Sequence, residues 1–155
     1  MASADGTIVI EDARIMYRNF AGKKGMFNDE GKRNFAVVLP DDVAAQLEAD
    51  GWNVKRTKPR EEGDIPIPFL SVAVSFENRP PRITMIANGV RTHITEDLVD
   101  LLDAVDILNV DLVVRPYKWE VQGNGGIKAY LKTLFVTIEE DELERKYGAK
   151  EQSDV

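Results

Sequence analysis

The chain reads Asp111-Leu-Val-Val-Arg-Pro-Tyr-Lys-Trp-Glu-Val121, then Gln-Gly-Asn-Gly-Gly, then Ile127-Lys-Ala-Tyr-Leu-Lys-Thr-Leu-Phe-Val-Thr-Ile138. Both runs are rich in β-branched and aromatic residues, which suit the pleated surface of a sheet. The segment between them supplies the glycines that tight turns require. The sequence therefore predicts a long β-hairpin in a mainly β fold. Pro116 indicates an edge or a bulge in the outgoing strand.

Side chains alternate between the two faces of a strand, so the hairpin sorts its cations and aromatics by face. One face of the outgoing strand carries Arg115, Tyr117 and Trp119, and the other carries Lys118. One face of the return strand carries Lys128, Tyr130 and Lys132. Cations beside aromatic rings form a platform on which the bases and phosphates of a nucleic-acid strand bind. Half-buried aromatics covered by lysine stems would give the same pattern.

Shorter β patterns occupy most of the remaining chain. They predict strands at residues 7–17, with a bulge at Glu11-Asp12, and at residues 34–39, 52–57, 69–76, 83–87 and 90–94. Asn88-Gly89 is typical of a two-residue hairpin turn. Two short helices are predicted, at residues 41–50 and 96–106. The second begins after Thr95 as N-cap and has an expected buried stripe of Leu98, Leu101, Leu102 and Val105.

Residues 18–35 form a basic stretch between the first two predicted strands. Asp29 and Glu30 oppose five cations, which are Arg18, Lys23, Lys24, Lys32 and Arg33. Three aromatics, Phe20, Phe27 and Phe35, are interleaved with these charges. The stretch predicts a charged, flexible hairpin that follows a phosphate backbone while bases stack on aromatics. In the alternative interpretation the loop is merely solvated, and Phe20 and Phe35 are the first core residues of the flanking strands.

Composition places these features in one globular domain with an acidic tail. The 155 residues carry a net charge of −7 and no cysteine, so disulfides and thiolate metal sites are excluded. Residues 139–155 hold seven acids against three bases, which leaves the preceding part nearly balanced. We therefore expect a domain at residues 1–138 and a tail at 139–155. No apolar run approaches the roughly 18 residues of a membrane span, and we expect a cytosolic protein with no membrane partner.

Catalytic and metal chemistry finds little support in the sequence. His93 is the only histidine, and Asp97, Asp100, Asp103 and Asp106 fall largely opposite the predicted apolar stripe, as a solvated helix face does. The glycines near Lys23 lack the spacing of a phosphate loop. We expect no catalytic residue, no cofactor and no metal, and therefore a binding protein. A protein-interaction module using the same β platform is the main alternative, and a magnesium-dependent nuclease is a remote one.

Several phrases of the sequence resemble a known family. They are Arg18-Asn-Phe-Ala-Gly22, Asn28, Gly31, Arg33-Asn-Phe-Ala-Val-Val-Leu39, Gly51-Trp-Asn-Val-Lys55, Arg115-Pro-Tyr-Lys-Trp-Glu-Val121 and Gly126-Ile-Lys-Ala-Tyr-Leu-Lys132. On these phrases the chain resembles the single-stranded DNA-binding proteins of tailed bacteriophages, especially those of actinobacterial hosts. The similarity extends over about residues 8–147.

The resemblance implies an OB-fold, a Greek-key β-barrel, here with an extended β-hairpin. It implies sequence-independent binding of single-stranded DNA in phage DNA replication, recombination or repair, in the host cytoplasm. It also implies an acidic tail that contacts replication or recombination proteins, here with Glu139, Glu140, Asp141, Glu142 and Glu144. Whether the protein forms a homo-oligomer stays open.

The predicted site combines electrostatic capture with stacking. The capturing cations are Arg18, Lys23, Lys24, Lys32, Arg33, Arg115, Lys118, Lys128 and Lys132. The stacking aromatics are Phe27, Tyr117, Trp119 and Tyr130. Stacking on aromatics tolerates every base, so we expect little sequence preference.

Removal of residues 139–155 tests whether the tail competes with DNA. If its carboxylates compete with phosphates for the basic groove, the truncated protein should bind oligothymidine more tightly than the full chain at low salt, and the difference should shrink as salt screens the charges. A titration of both proteins at two salt concentrations measures this. Equal affinities at low salt would contradict the competition.

Overall fold

The computed structural model describes residues 6–26 and 28–139. Within these ranges the chain forms nine strands, one α-helix, α1 (Asp41–Ala49), and one 3₁₀ helix (Glu96–Asp103). The strands are β1 (Ile8–Ala13), β2 (Ile15–Asn19), β3 (Arg33–Val38), β4 (Val54–Arg56), β5 (Pro68–Val74), β6 (Arg82–Ala87), β7 (Val90–Ile94), β8 (Ile107–Val121) and β9 (Asn124–Ile138). The prediction of a mainly β fold with two short helices is confirmed.

The strands form one mixed sheet whose main path runs β1-β8-β9-β5-β3-β2. β5 and β9 are parallel, whereas the other pairs on this path are antiparallel. β4 joins β5, and the β6–β7 hairpin joins β9 through a parallel pair. The two ends of the path, β1 and β2, are separated in the chain only by Arg14. The sheet therefore curls back onto one bent strand, as in the partly open barrel that the resemblance implies.

A bulge at the end of β1 accounts for the bend. The β1–β8 register shifts between Ile10 and Ala13, and Asp12 has a positive φ of 51°. The backbone N–H of Asp12 donates to the Asp111 carboxylate at 2.8 Å, which compensates for the interrupted ladder. The predicted bulge at Glu11-Asp12 is confirmed.

The β8–β9 hairpin is the longest element, with two strands of 15 residues each. Pairing continues to Val121 and Asn124, so the turn is only Gln122-Gly123, whose φ angles are 52° and 82°. Such a turn matches the twist of the flanking strands. Gly125 and Gly126, expected in the turn, belong to β9 instead. Pro116 lies beyond the last β1–β8 pair, on an edge, and its own pairing with Ala129 is regular.

The β8–β9 hairpin contains a bulge on β9. Val113 pairs with Thr133 and Val114 pairs with Leu131, so Lys132 is the extra residue of the bulge. Bulges of this kind change the direction in which a side chain points. Of the two alternatives predicted for Pro116, the edge is therefore confirmed, and the bulge of this region lies on the partner strand instead.

The second helix differs from its prediction. The segment Glu96–Asp103 is a 3₁₀ helix, in which residues three apart lie above each other. Its buried residues are accordingly Val99 and Leu102, whereas Leu98 and Leu101 are 43% and 47% exposed. Thr95 occupies the N-cap position, but its hydroxyl donates to the Asp97 carboxylate and holds the pKa of Asp97 below its ordinary value.

The core lies on the inner face of the curled sheet and extends under α1 and the 3₁₀ helix. Phe20 and Phe35 are fully buried and stack with ring centroids 5.2 Å apart, so the interpretation of both as core residues is correct. The largest fully buried side chains besides these two are Ile8, Leu70, Ile83, Ile94, Leu102, Leu112, Leu131, Leu134, Val37 and Val72. Most of them lie on strands and alternate with residues that point to the outer face of the sheet, so that face is more exposed than the inner one.

The predicted tail falls almost entirely outside the described residues. β9 ends at Ile138, and the backbone N–H of Glu139 donates to the carbonyl of Asp106 at 2.8 Å. The other predicted tail residues, Glu140, Asp141, Glu142 and Glu144, lie beyond the described ranges, and so does Phe27. Neither helix in those ranges has the length and apolar content that a membrane crossing requires.

Candidate nucleic-acid interface

The basic loop between β2 and β3 has a network of asparagine hydrogen bonds, in place of the flexible connection expected from its glycines. Asn28 Nδ2 lies 2.9, 3.1 and 3.0 Å from the carbonyl oxygens of Lys23, Asp29 and Lys32, and Asn28 Oδ1 accepts from Asn34 Nδ2 at 2.8 Å. Asn19 bonds to both the N–H and the carbonyl of Lys23. These amides add to the few backbone hydrogen bonds that cross the loop, which pair Gly25 with Asn28 and join the Gly31 N–H to the Gly22 carbonyl.

The 3₁₀ helix anchors the start of this loop. The Asp103 carboxylate accepts hydrogen bonds from the backbone N–H of Phe20 at 2.8 Å and of Ala21 at 2.9 Å. In return, Arg18 Nη1 donates to the carbonyl oxygens of Leu102 and Val105, both at 2.8 Å. Carbonyls at the end of a helix lack partners within it, and a guanidinium satisfies them well. The structure therefore gives Arg18, predicted as a DNA-binding cation, a half-buried contact with the helix end.

Arg33 forms a further link between the loop and the 3₁₀ helix. Its Nη1 lies 3.6 Å from Glu96 Oε2, and its guanidinium carbon lies 5.8 Å from the centroid of the Phe76 ring. Its Nε is buried and has no hydrogen-bond partner in the structure. Lys32, beside it, forms an exposed pair with Asp29 at 3.5 Å, which contributes little stability.

A groove of about 630 Å³ lies between the basic loop, the outer face of β5 and the outer half of the β8–β9 hairpin. It brings together five predicted site residues, which are Lys32, Arg33, Trp119, Lys128 and Tyr130. It also contains residues that the sequence analysis missed, which are Asn34, Asn53, Lys55, Ser71, Ser75 and Phe76. The small outward residues of β5 alternate with its buried ones, and this alternation was the available signal for an open groove floor.

Tyr130 holds two cations on the outer face of the hairpin. The guanidinium carbon of Arg115 lies 5.0 Å from the ring centroid, and Lys128 Nζ lies 5.1 Å from it. Tyr117 meets the same ring edge to face, with centroids 6.0 Å apart. The register pairs Arg115 with Tyr130 and Tyr117 with Lys128, so the two predicted rows of side chains do share one face.

Trp119 presents one side of its indole to the solvent. Its cross-strand partner is Gly126, and a Cβ at that glycine would lie 3.3 Å from Cζ2 and Nε1 of the indole. The ring therefore packs on the glycine backbone, while 42% of the residue stays exposed. Tyr117 is 54% exposed, whereas Trp52 is only 8% exposed. Trp119 and Tyr117 are thus the exposed rings of the hairpin.

The other predicted residues lie apart from the groove. Lys23 and Lys24 are exposed in the basic loop. Lys118 pairs with Ile127 on the opposite face of the hairpin and does not line the groove. Arg115 and Lys132 line a second, smaller pocket. In the described part of the chain no three His, Cys, Asp or Glu side chains come together as a metal site would require.

A comparison of the sequence with models of known protein families gives a match. A family model described as "Putative phage ssDNA-binding domain" matches residues 3–154. The chain belongs to this family. The resemblance of the sequence to phage single-stranded DNA-binding proteins is thereby confirmed. A comparison with curated proteins gave no match.

Solved structures show that this phage ssDNA-binding domain has the fold of a protein from bacteriophage Enc34. The Enc34 single-stranded DNA-binding protein in complex with ssDNA is 15% identical, with a TM-score of 0.58 and 89% of each chain covered. A C-terminal truncation of that protein is 15% identical, with a TM-score of 0.55 and coverage of 89% of this chain and 88% of the other. Similarity at this identity describes the fold alone.

The contact between the Asp103 carboxylate and the backbone N–H groups of Phe20 and Ala21 can be tested in this phage ssDNA-binding domain by Asp103→Ala. The change leaves two backbone N–H groups without their acceptor, so we expect the free energy of unfolding to fall by about 1–3 kcal/mol. Denaturant unfolding measures it. Asp100→Ala removes an exposed carboxylate from the same helix and should change stability by less than about 0.5 kcal/mol. Equal effects of the two substitutions would show that Asp103 does not stabilise the start of the loop.

Proposed function

We propose that this protein binds single-stranded DNA without sequence preference, with the strand lying in the groove between the basic loop and the β8–β9 hairpin. The observation that carries the proposal is the lining of the groove. A chain with a net charge of −7 concentrates Lys32, Arg33, Lys55 and Lys128 around one concave surface that also holds an exposed tryptophan. The family to which the chain belongs supports the same activity.

The cations of the groove supply the affinity for phosphates. Its lining contains two acids, Glu77 and Glu96, and Glu96 is already paired with Arg33. Of the remaining cations, Lys32 has an exposed and weak pair with Asp29 outside the lining, and Lys55 and Lys128 form no salt bridge within the described residues. A strand that neutralises them releases its condensed counterions, and binding is expected to weaken steeply as salt rises.

Stacking on exposed rings would hold the bases. Trp119 and Tyr117 keep exposed ring surface, so they are the proposed stacking residues. Tyr130 has a different proposed role, because two cations already lie against its ring. It positions Arg115 and Lys128 for the phosphates. Every base has a face that can stack, so this arrangement discriminates little between sequences.

Membership of the family supports a proposal for the biological role. We propose that the protein acts without catalysis, covering single strands during phage DNA replication, recombination or repair in the cytoplasm of the host. Its domain is proposed to end near residue 138, and its acidic tail to contact other replication or recombination proteins. The Enc34 protein that shares this fold was solved in complex with ssDNA, which supports the proposed binding of single strands.

Tryptophan fluorescence tests the binding mode directly. Trp52 is buried and Trp119 is exposed, so quenching by oligothymidine should come from Trp119 and should reverse on addition of salt.

Trp119→Ala should weaken binding by about tenfold, because a stacked base contributes about 1–3 kcal/mol. Trp119→Phe keeps a ring and should retain most of the affinity. An Ala variant that unfolds would show that Trp119 supports the fold instead.

Two lysines on the same hairpin form a matched pair for the electrostatic part. Lys128→Ala should weaken binding and lower the log-log salt slope by about 0.7, the value for one phosphate contact on a single strand. Lys118→Ala removes the same charge from the opposite face and should leave both quantities nearly unchanged. Affinity measured across a salt series decides between them. Equal losses would indicate a diffuse charge effect, and no binding by the wild type would favour a protein partner.

A further inference from the structure

A second basic pocket lies beside the groove, on the outer surface of the barrel. Its volume is about 310 Å³, and its lining consists of Thr7, Arg79, Pro80, Arg115, Pro116 and Lys132. These residues include three cations and no acid, although the chain as a whole is acidic. A concave surface with charges of one sign concentrates an oppositely charged ligand. The pocket therefore suits an anion.

Four separate segments build this pocket. Thr7 precedes β1, Arg115 and Pro116 belong to β8, and Lys132 is the bulged residue of β9. The parallel β6–β9 pair begins at Arg82 and Thr133, which brings the preceding Arg79 and Pro80 beside Lys132. Because a bulge redirects its side chain, the position of Lys132 depends on the interrupted register of the hairpin.

The pocket continues the groove along two shared elements. On β9, Lys128 and Tyr130 line the groove, and Lys132 lines the pocket. In the connection between β5 and β6, Glu77 lines the groove and Arg79 lines the pocket. Arg115 joins the two surfaces, because its guanidinium lies against the Tyr130 ring while the residue also lines the pocket.

We propose that this pocket is a second phosphate-binding site, which takes a backbone phosphate of the DNA strand after the strand passes Tyr130. The inference rests on the proposed function, since it extends the path of the same strand. Arg79, which no sequence pattern had singled out as a binding residue, is its distinguishing residue. Pro80 and Pro116 also line the pocket, and each restricts the backbone of the arginine directly before it, Arg79 and Arg115.

The test compares oligothymidines of increasing length, from about 4 to 16 nucleotides, the range of sites for OB-folds. Arg79→Ala should bind the shortest oligonucleotides as tightly as the wild type does, because these fill the groove alone. With longer ones it should lose roughly three- to tenfold in affinity at low salt, and its salt slope should fall by about 0.7. Arg79→Lys keeps the charge and should restore most of the loss.

Arg91→Ala is the matched control, because Arg91 is an exposed arginine on β7 that lines neither pocket. The inference is overturned if Arg79→Ala matches this control at every length, or if its loss is the same at every length. In either case the groove would still bind DNA, so the proposed function would stand. A wild-type protein that binds no oligothymidine of any length would overturn both.

Discussion

The groove depends on a reciprocal contact between the end of β2 and the 3₁₀ helix. The Asp103 carboxylate accepts hydrogen bonds from two backbone N–H groups at the start of the basic loop. Arg18 donates hydrogen bonds to two carbonyl oxygens at the end of the helix. Each partner satisfies backbone groups that the other element leaves unpaired. Phe20, buried beside this contact, stacks on Phe35 and joins the loop to the core. The position of the loop is thus set by the barrel itself.

The second wall of the groove is the β8–β9 hairpin, whose rigidity has a different origin. Regular pairing extends to the two-residue turn, so the outer half of the hairpin is held by its own ladder. Arg115, Tyr130 and Lys128 then hold one another through cation–π contacts. A loop fixed by side chains and a hairpin fixed by backbone pairing enclose the same groove. Its geometry is therefore largely formed before a ligand arrives.

Features with local causes could be predicted from the sequence, and those with distant causes could not. The hairpin and the Asn88-Gly89 turn follow from alternation and turn chemistry. The shared face of Arg115 and Tyr130 depends instead on the register set by the two-residue turn, which the sequence predicts as five residues long. Arg18 could not be separated from the binding cations, because the carbonyls that it contacts are 84 and 87 residues away. The choice of a 3₁₀ helix over an α-helix depends on packing, which a periodic pattern of leucines does not contain.

Only some of the residues that line the groove could be predicted, because the others are brought to it by contacts between segments that are distant in the sequence. Lys55 and Phe76 come to it through the pairing of β4 with β5 and through the end of β5, and neither residue stands out in its own segment. Gly126 was read as part of the turn, whereas it forms the surface on which Trp119 packs. Which of the gathered side chains contact DNA stays a prediction.

β9 illustrates how the fold separates two tasks within one strand. Ala129 and Leu131 point into the barrel, while Lys128 and Tyr130 point outward, and neighbouring strands pair with β9 along both of its edges. The backbone is fixed by those neighbours, so outward side chains can change without disturbing the interior. Substitutions under selection can therefore change the affinity for a ligand and the stability of the fold almost independently. Such a division allows distant relatives to keep one architecture while their surfaces diverge.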